Sequence, residues 1–199
     1  MKKYEPKALV AISRYQNYFP SLSAQFQRDV YARMDELLIE EKAYCDKGNY
    51  AHMAQILTSI ALYEVLQKHG QSEQEAYRIV SEEMWKFLDP VPMQKLARKS
   101  FFLTLMKKIV PFGFRLGSGY GWRYTWHKDD PKDEFRFECN ECIYQKILGK
   151  RGLIKLGAIP AFVFEDGRVS IDPADAGLIE YGAANACSVE DHRSGRKGC

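Results

Sequence analysis

The spacing of apolar residues changes once along this chain, and that change constrains its fold more than any other feature. From about residue 21 to 110, apolar side chains recur at three- and four-residue steps, the period of an amphipathic helix. From Trp122 onward they alternate, the period of a strand with one buried face. In the first stretch, Ser21 or Ser23 caps a helix running to about Cys45, with Phe26, Val30, Met34, Leu37, Leu38 and Tyr44 on its apolar side. Asp46-Lys47-Gly48-Asn49 stops it. A second helix carries Met53, Ile56, Leu57, Ile60, Ala61, Tyr63, Val65 and Leu66 and closes at His69-Gly70. Ser72, with Glu75 three residues on, forms a capping box for a third, whose stripe is Ala76, Ile79, Val80, Met84, Phe87 and Leu88. Asp89-Pro90-Val91-Pro92 breaks that helix, and a fourth is predicted from about Met93 to Ile109, ending before Pro111.

Beyond Gly113 the pattern differs. Gly117-Ser118-Gly119-Tyr120-Gly121 reads as a flexible loop. In the next segment Trp122, Tyr124 and Trp126 share one strand face, and Arg123, Thr125 and His127 the other. A turn over residues 129–133 leads to a return strand with Phe135, Phe137 and Cys139 on one side. Asn140 is placed to cap a helix from Glu141 to Leu148. Ala161-Phe162-Val163-Phe164 is a buried type of strand, and Asp166-Gly167 turns it back towards residues 168–171. Helices first and strands second predict an α+β fold, with an N-terminal helical bundle packed on a small antiparallel β-sheet. The expected organisation is an N-terminal arm or short helix over 1–20 and a single α+β domain over 21–187. Within it, helices fill 21–110, and strands with one helix fill 120–171. A mobile tail is expected over 188–199.

Charge and composition narrow the function. The chain has 199 residues, 29 Lys and Arg against 26 Asp and Glu, and a net charge of +3. Basic residues mix with acidic ones, so nucleic acid is not an expected partner. The one local basic excess, at Lys95, Arg98, Lys99, Lys107 and Lys108, reads as the solvated side of a helix. No apolar run reaches the roughly 20 residues that span a bilayer. A membrane-surface role for the fourth helix is a minor alternative, and no membrane partner is expected. The N-terminus carries no signal-peptide pattern. Five cysteines without regular spacing fit reduced thiols and a cytoplasmic location. A small-molecule substrate is the expected partner, and a homo-oligomer stays open.

Cys139-Asn140-Glu141-Cys142 is the main motif able to carry chemistry. Structural zinc would need a second such pair, and the chain has none. A redox pair would sit at a helix start, which this spacing offers, but without a βαβ context. The remaining readings are a single functional thiol at Cys139 or a buried cysteine acting as a small hydrophobe. Asp166 forms a turn with Gly167. His52 opens an amphipathic helix, and His127 ends a strand. The loop at 117–121 precedes a strand, so it lacks the helix N-terminus that holds phosphate. No cofactor is required by these patterns, although a divalent metal is compatible with them.

Together these segments resemble the L-2-amino-thiazoline-4-carboxylic acid hydrolase family. The resemblance rests on Asn49-Tyr50-Ala51-His52-Met53 with Leu57, Ile60 to Tyr63, Leu66, Gly70, Ser72 and Glu75-Ala76. It continues in Phe135-Arg136-Phe137-Glu138-Cys139 with Ile143-Tyr144, and in Gly157 to Phe162 with Asp166. The chain departs from the family pattern at Val163, where the family carries a cysteine, and after about Ser170. The resemblance implies hydrolytic opening of a cyclic amidine-like thiazoline to a carbamoyl-cysteine. It points to Cys139 as nucleophile or positioning thiol and to Asp166 as base or orienting group. His52 or His127 would then move protons. Arg123 would hold the substrate carboxylate, and Trp122, Tyr124 and Tyr144 would line the substrate site. A non-catalytic small-molecule-binding domain and a metal-binding regulatory domain, the latter using Cys139, Cys142 and Cys187, are the alternatives.

Overall fold

The computed structural model describes residues 4–86, 101–126, 137–157, 163–165, 168–170 and 187–188. The fold is α+β, with its helices leading and small antiparallel sheets following. Its contacts divide the chain into two units interleaved in sequence. The first takes residues 1–88, 117–121 and 143–157, and the second takes 89–116, 122–142 and 158–199.

The first unit is helical and is organised around one helix. The helices are α1 (Pro6–Ile12), α2 (Ala24–Glu40), α3 (Tyr50–Lys68) and α4 (Glu73–Trp85), with α6 (Ile143–Gly149) joining later in the chain. Helix α3 is apolar or small on nearly every side, from Met53 and Ala54 through Ile60, Ala61 and Leu62 to Leu66. A helix of that kind has to be surrounded, and α1, α2, α4 and α6 all pack against it. Its two fully enclosed hydroxyls are satisfied locally. Ser59 Oγ donates to Gln55 O at 2.9 Å and lies 2.9 Å from Tyr15 Oη, while Thr58 Oγ1 points at Met34 Sδ.

Capping explains where these helices begin. Ser23 Oγ accepts from the Phe26 amide, and Ser72 Oγ accepts from the Glu75 amide. The second box is half made, because the Glu75 carboxylate is taken by Arg78 rather than turned back to the cap. Helix α2 ends at Glu40, short of Cys45, and a 3₁₀ turn over Lys42–Tyr44 follows. The residues expected as a short helix or arm do form a helix. They bury Leu9, Val10, Tyr15 and Phe19, which anchors the N-terminus by ordinary hydrophobic packing.

In the second unit, helix α5 (Phe102–Gly117) runs through Pro111, whereas the sequence pattern stops it before that residue. Proline removes one backbone donor and crowds the preceding turn, yet the helix continues and carries Phe114 onto the sheet. There Phe114 stacks edge-on against Tyr124 and Trp126, with ring centres 4.6 and 5.7 Å away. Residues 93–100 of the expected fourth helix, and Phe87, Leu88 and the break at 89–92 before it, lie outside the described residues.

Strands β1 (Arg123–Trp126) and β2 (Phe137–Glu141) pair antiparallel, with Tyr124 opposite Cys139 and Trp126 opposite Phe137. The register slips between Arg123 and Tyr124, leaving Asn140 as the extra residue of a bulge. Asn140 therefore belongs to the strand and not to a helix cap; its Oδ1 accepts from Thr125 Oγ1 at 2.9 Å. The helix expected from Glu141 begins at Ile143 instead. Short strands β3 (Val163–Glu165) and β4 (Arg168–Ser170) form the expected second hairpin. Strand β5 (Cys187–Ser188), which has no strand pattern in the sequence, adds to β2 with Cys187 opposite Cys139. The turn at 129–133 and the tail at 189–199 lie outside the described residues.

Candidate functional site

Two residues that the sequence singles out come together in the helical unit. His52 lies in the first turn of α3, and Tyr144 in the first turn of α6. His52 Nδ1 is 3.3 Å from Tyr144 Oη, and the two rings meet edge to face with centres 5.7 Å apart. Both side chains are half-buried, so the pair is neither sealed in the core nor free in solvent. Burial holds the His52 imidazole below its ordinary pKa, and a hydrogen bond to the Gly117 backbone opposes that shift without cancelling it. The ring is therefore neutral near pH 7, with one donor and one acceptor nitrogen. With Nδ1 as the acceptor nitrogen, the Tyr144 hydroxyl donates to it.

The ground beneath this pair is built by the turn before α3. Asn49 is fully buried, and its amide nitrogen donates to Tyr44 O at 3.1 Å and to Tyr120 O at 2.9 Å. Its Oδ1 accepts from the Gly119 amide at 3.0 Å. Asp46 completes the clasp, with Oδ1 accepting from the Asn49 amide and Oδ2 from the Tyr120 amide at 2.7 Å. The loop expected to be flexible is thus pinned at successive residues. Gly119 is required there, since a Cβ would fall 2.0 Å from Asp46 Oδ1. Gly121 turns with φ +94°, close against Tyr44 and Ile143. The Asp46–Asn49 clasp went unnoticed in the sequence because Asp-Lys-Gly-Asn reads equally well as a plain helix stop.

An ion network lies elsewhere in the same unit. Glu41, only 1% exposed, has Oε1 2.5 Å from Lys150 Nζ and 2.6 Å from Arg151 Nη1. The charges attract, but the approach is out of line for a hydrogen bond. Arg151 also pairs with Glu40, and Arg33 with Glu36, Glu40 and Glu64. This network ties α2 to α3 and to the loop after α6. Its cations are already matched to carboxylates, which suits a structural brace better than a ligand site. Cys45, nearby, has its thiol pushed up to about 11 by burial, with Glu41 and Asp46 adding to the effect, so it is a poor nucleophile near pH 7.

The remaining expected site residues fall in the second unit or outside the described residues. Cys139 is buried on β2, and its Sγ donates to Glu141 O at 3.3 Å. Arg123, the expected carboxylate clamp, is exposed and has Nε 3.2 Å from Glu141 Oε1. Trp122 stacks on Tyr124 with ring centres 5.6 Å apart. With Trp126, Phe137 and Phe114 they form a half-exposed aromatic surface. Asp166 and His127 lie outside the described residues. Among the described residues, no three His, Cys, Asp or Glu side chains gather as a metal-ligand set, and no helix is long and apolar enough to cross a membrane.

Comparison with known proteins adds no relative: no family model, no curated protein and no solved structure matches the chain.

Proposed function

We propose that the chain is a cytoplasmic hydrolase that opens a small cyclic amidine of the 2-amino-thiazoline-4-carboxylate type, with His52 and Tyr144 as its proton-transfer pair. The observation that carries this reading is their meeting. The segments around His52 and Tyr144 both belong to the family resemblance, and these two residues, 92 apart in the chain, put Nδ1 and Oη within 3.3 Å of each other. A neutral, half-buried imidazole beside a phenol suits general acid–base work near pH 7.

In the proposed reaction, water adds to the ring carbon bonded to nitrogen and sulfur. The water passes a proton to Tyr144 Oη as the tyrosine hydroxyl gives its own to His52 Nδ1. One ring bond from that carbon, to nitrogen or to sulfur, then breaks. The departing atom takes the relayed proton back, the added oxygen gives its remaining proton to the ring nitrogen as it becomes the carbonyl, and a carbamoyl-cysteine results. This step uses neither Cys139 nor Asp166, whose roles as nucleophile or positioning thiol and as base or orienting group rest on the resemblance alone, nor Arg123, which pairs with Glu141.

A second reading, non-catalytic binding of a small molecule, is favoured by the half-exposed rings of Trp122, Tyr124, Trp126 and Phe137. Incubating the full chain with 2-amino-thiazoline-4-carboxylate and following carbamoyl-cysteine by mass spectrometry separates the two. Turnover by the native chain is expected, with a loss of about 100-fold or more in His52→Ala. Saturable binding without product would replace the hydrolase by the binding module.

A further inference from the structure

We propose that helix α5 is an interfacial helix that lays its exposed apolar side on an anionic lipid surface. Ile109, Phe112 and Leu116 follow one another at three- and four-residue steps, so they form one stripe. All three are exposed, at 51%, 61% and 67%. Phe114, two positions from Phe112, points to the other side of the helix and is the residue seated on Tyr124, Trp126 and Phe137. The helix is thus held by one edge and left uncovered along another. Scattered apolar residues on a surface are ordinary, but a contiguous stripe of three large ones marks an interaction surface.

Charge identifies the occupant. Helix α5 carries Lys107, Lys108 and Arg115 and no acidic residue. The acid-free stretch is wider than the helix: residues 90–128 contain no Asp or Glu but hold Lys95, Arg98, Lys99, Lys107, Lys108, Arg115, Arg123 and Lys128. Those are eight of the 29 basic residues, leaving 21 against 26 acidic ones in the rest of the chain. The stretch of sequence that holds this helix therefore carries more than the chain's whole net positive charge; within it Arg123 pairs with Glu141, and the helix's own cations are Lys107, Lys108 and Arg115. A basic helix with an apolar edge is the pattern of in-plane membrane binding, and anionic lipids attract such segments. With 16 residues the helix is about 24 Å long, too short to cross the hydrocarbon core and suited to lying in its plane. A second copy fits poorly, because mating two copies of a helix that carries three cations and no acidic residue sets like charges together. An acidic polypeptide would meet the charge but would have to bring its own groove for a projecting ridge. The proposal reverses the expectation of no membrane partner drawn from the missing spanning segment.

The test uses the full chain and sedimentation with vesicles of phosphatidylcholine alone or mixed with phosphatidylserine. Binding is expected only with phosphatidylserine and is expected to weaken as salt rises. Phe112→Ser with Leu116→Ser, and separately Lys107→Glu with Lys108→Glu, should each reduce it about 10-fold or more while the circular dichroism spectrum is kept. Should the serine pair unfold the chain, Phe112→Trp replaces it: its added fluorescence should be quenched by brominated acyl chains beyond the wild-type level. No sedimentation with phosphatidylserine vesicles, or no added quenching, overturns the proposal. So does tighter binding to polyglutamate than to vesicles, or a lipid-free dimer that Phe112→Ser with Leu116→Ser dissolves.

Discussion

The two units of this chain solve the same problem, hiding apolar side chains, to very different degrees. In the helical unit, Met53, Leu57, Ile60 and Ala61 of α3 are completely enclosed, and even the buried hydroxyls have partners. In the second unit, the rings of Phe114, Trp122, Tyr124, Trp126 and Phe137 lie on one another yet stay half-exposed, and α5 leaves a whole stripe uncovered. The first arrangement is that of a scaffold able to hold a pair such as His52 and Tyr144 at fixed distance. The second is that of a surface awaiting an occupant.

The sharpest way to break this contrast is to delete side chains on each side of it. Leu57→Ala should cost about 2–5 kcal/mol in denaturant unfolding, since it opens a cavity at a fully enclosed position of the central helix. Phe112→Ala should stay within about 0.5 kcal/mol of the native chain. Equal losses would show that α5 is as enclosed as α3. Next in size is Asn49→Ala, which strands the Tyr44 and Tyr120 carbonyls and the Gly119 amide. Several buried groups without partners should cost about 3 kcal/mol together. Hydrogen exchange at the Gly119 and Tyr120 amides should accelerate with it, and unchanged protection there would mean the loop is not held by the clasp.

The smallest effect is the dependence of stability on pH through His52. Its folded pKa lies below the ordinary value of 6.5 because burial disfavours the charged ring. The unfolded chain therefore binds the extra proton first as pH falls. The stabilisation is fully present above about pH 6.5 and is lost as pH falls from there through the folded pKa. His52→Gln should flatten that slope in thermal melts between about pH 5 and 7, and a slope of the same size in both proteins would place its origin elsewhere.

Much of the helical unit was legible from periodicity and caps. Ser23, Ser72 and the stripe of α3 mark their helices because buried faces and orphan backbone donors leave local signatures. Asn140 and Pro111 were misread for a related reason: their usual roles, as a helix cap and a helix breaker, were overridden by pairing across the sheet and by the packing of Phe114. Of the site, the sequence marks His52 and Tyr144 separately, but nothing local tells that α6 returns to the start of α3. The Asp46–Asn49 clasp on Gly119 was likewise hidden, because its partners stand some 70 residues away.

The claim that His52 and Tyr144 act as one proton-transfer unit is tested most directly by a double-mutant cycle on thiazoline hydrolysis. His52→Gln should lower kcat/KM by about 100-fold and Tyr144→Phe by about 10-fold, while the double variant should be hardly worse than His52→Gln alone. Losses that simply multiply, or single variants that turn over like the native chain, would contradict it.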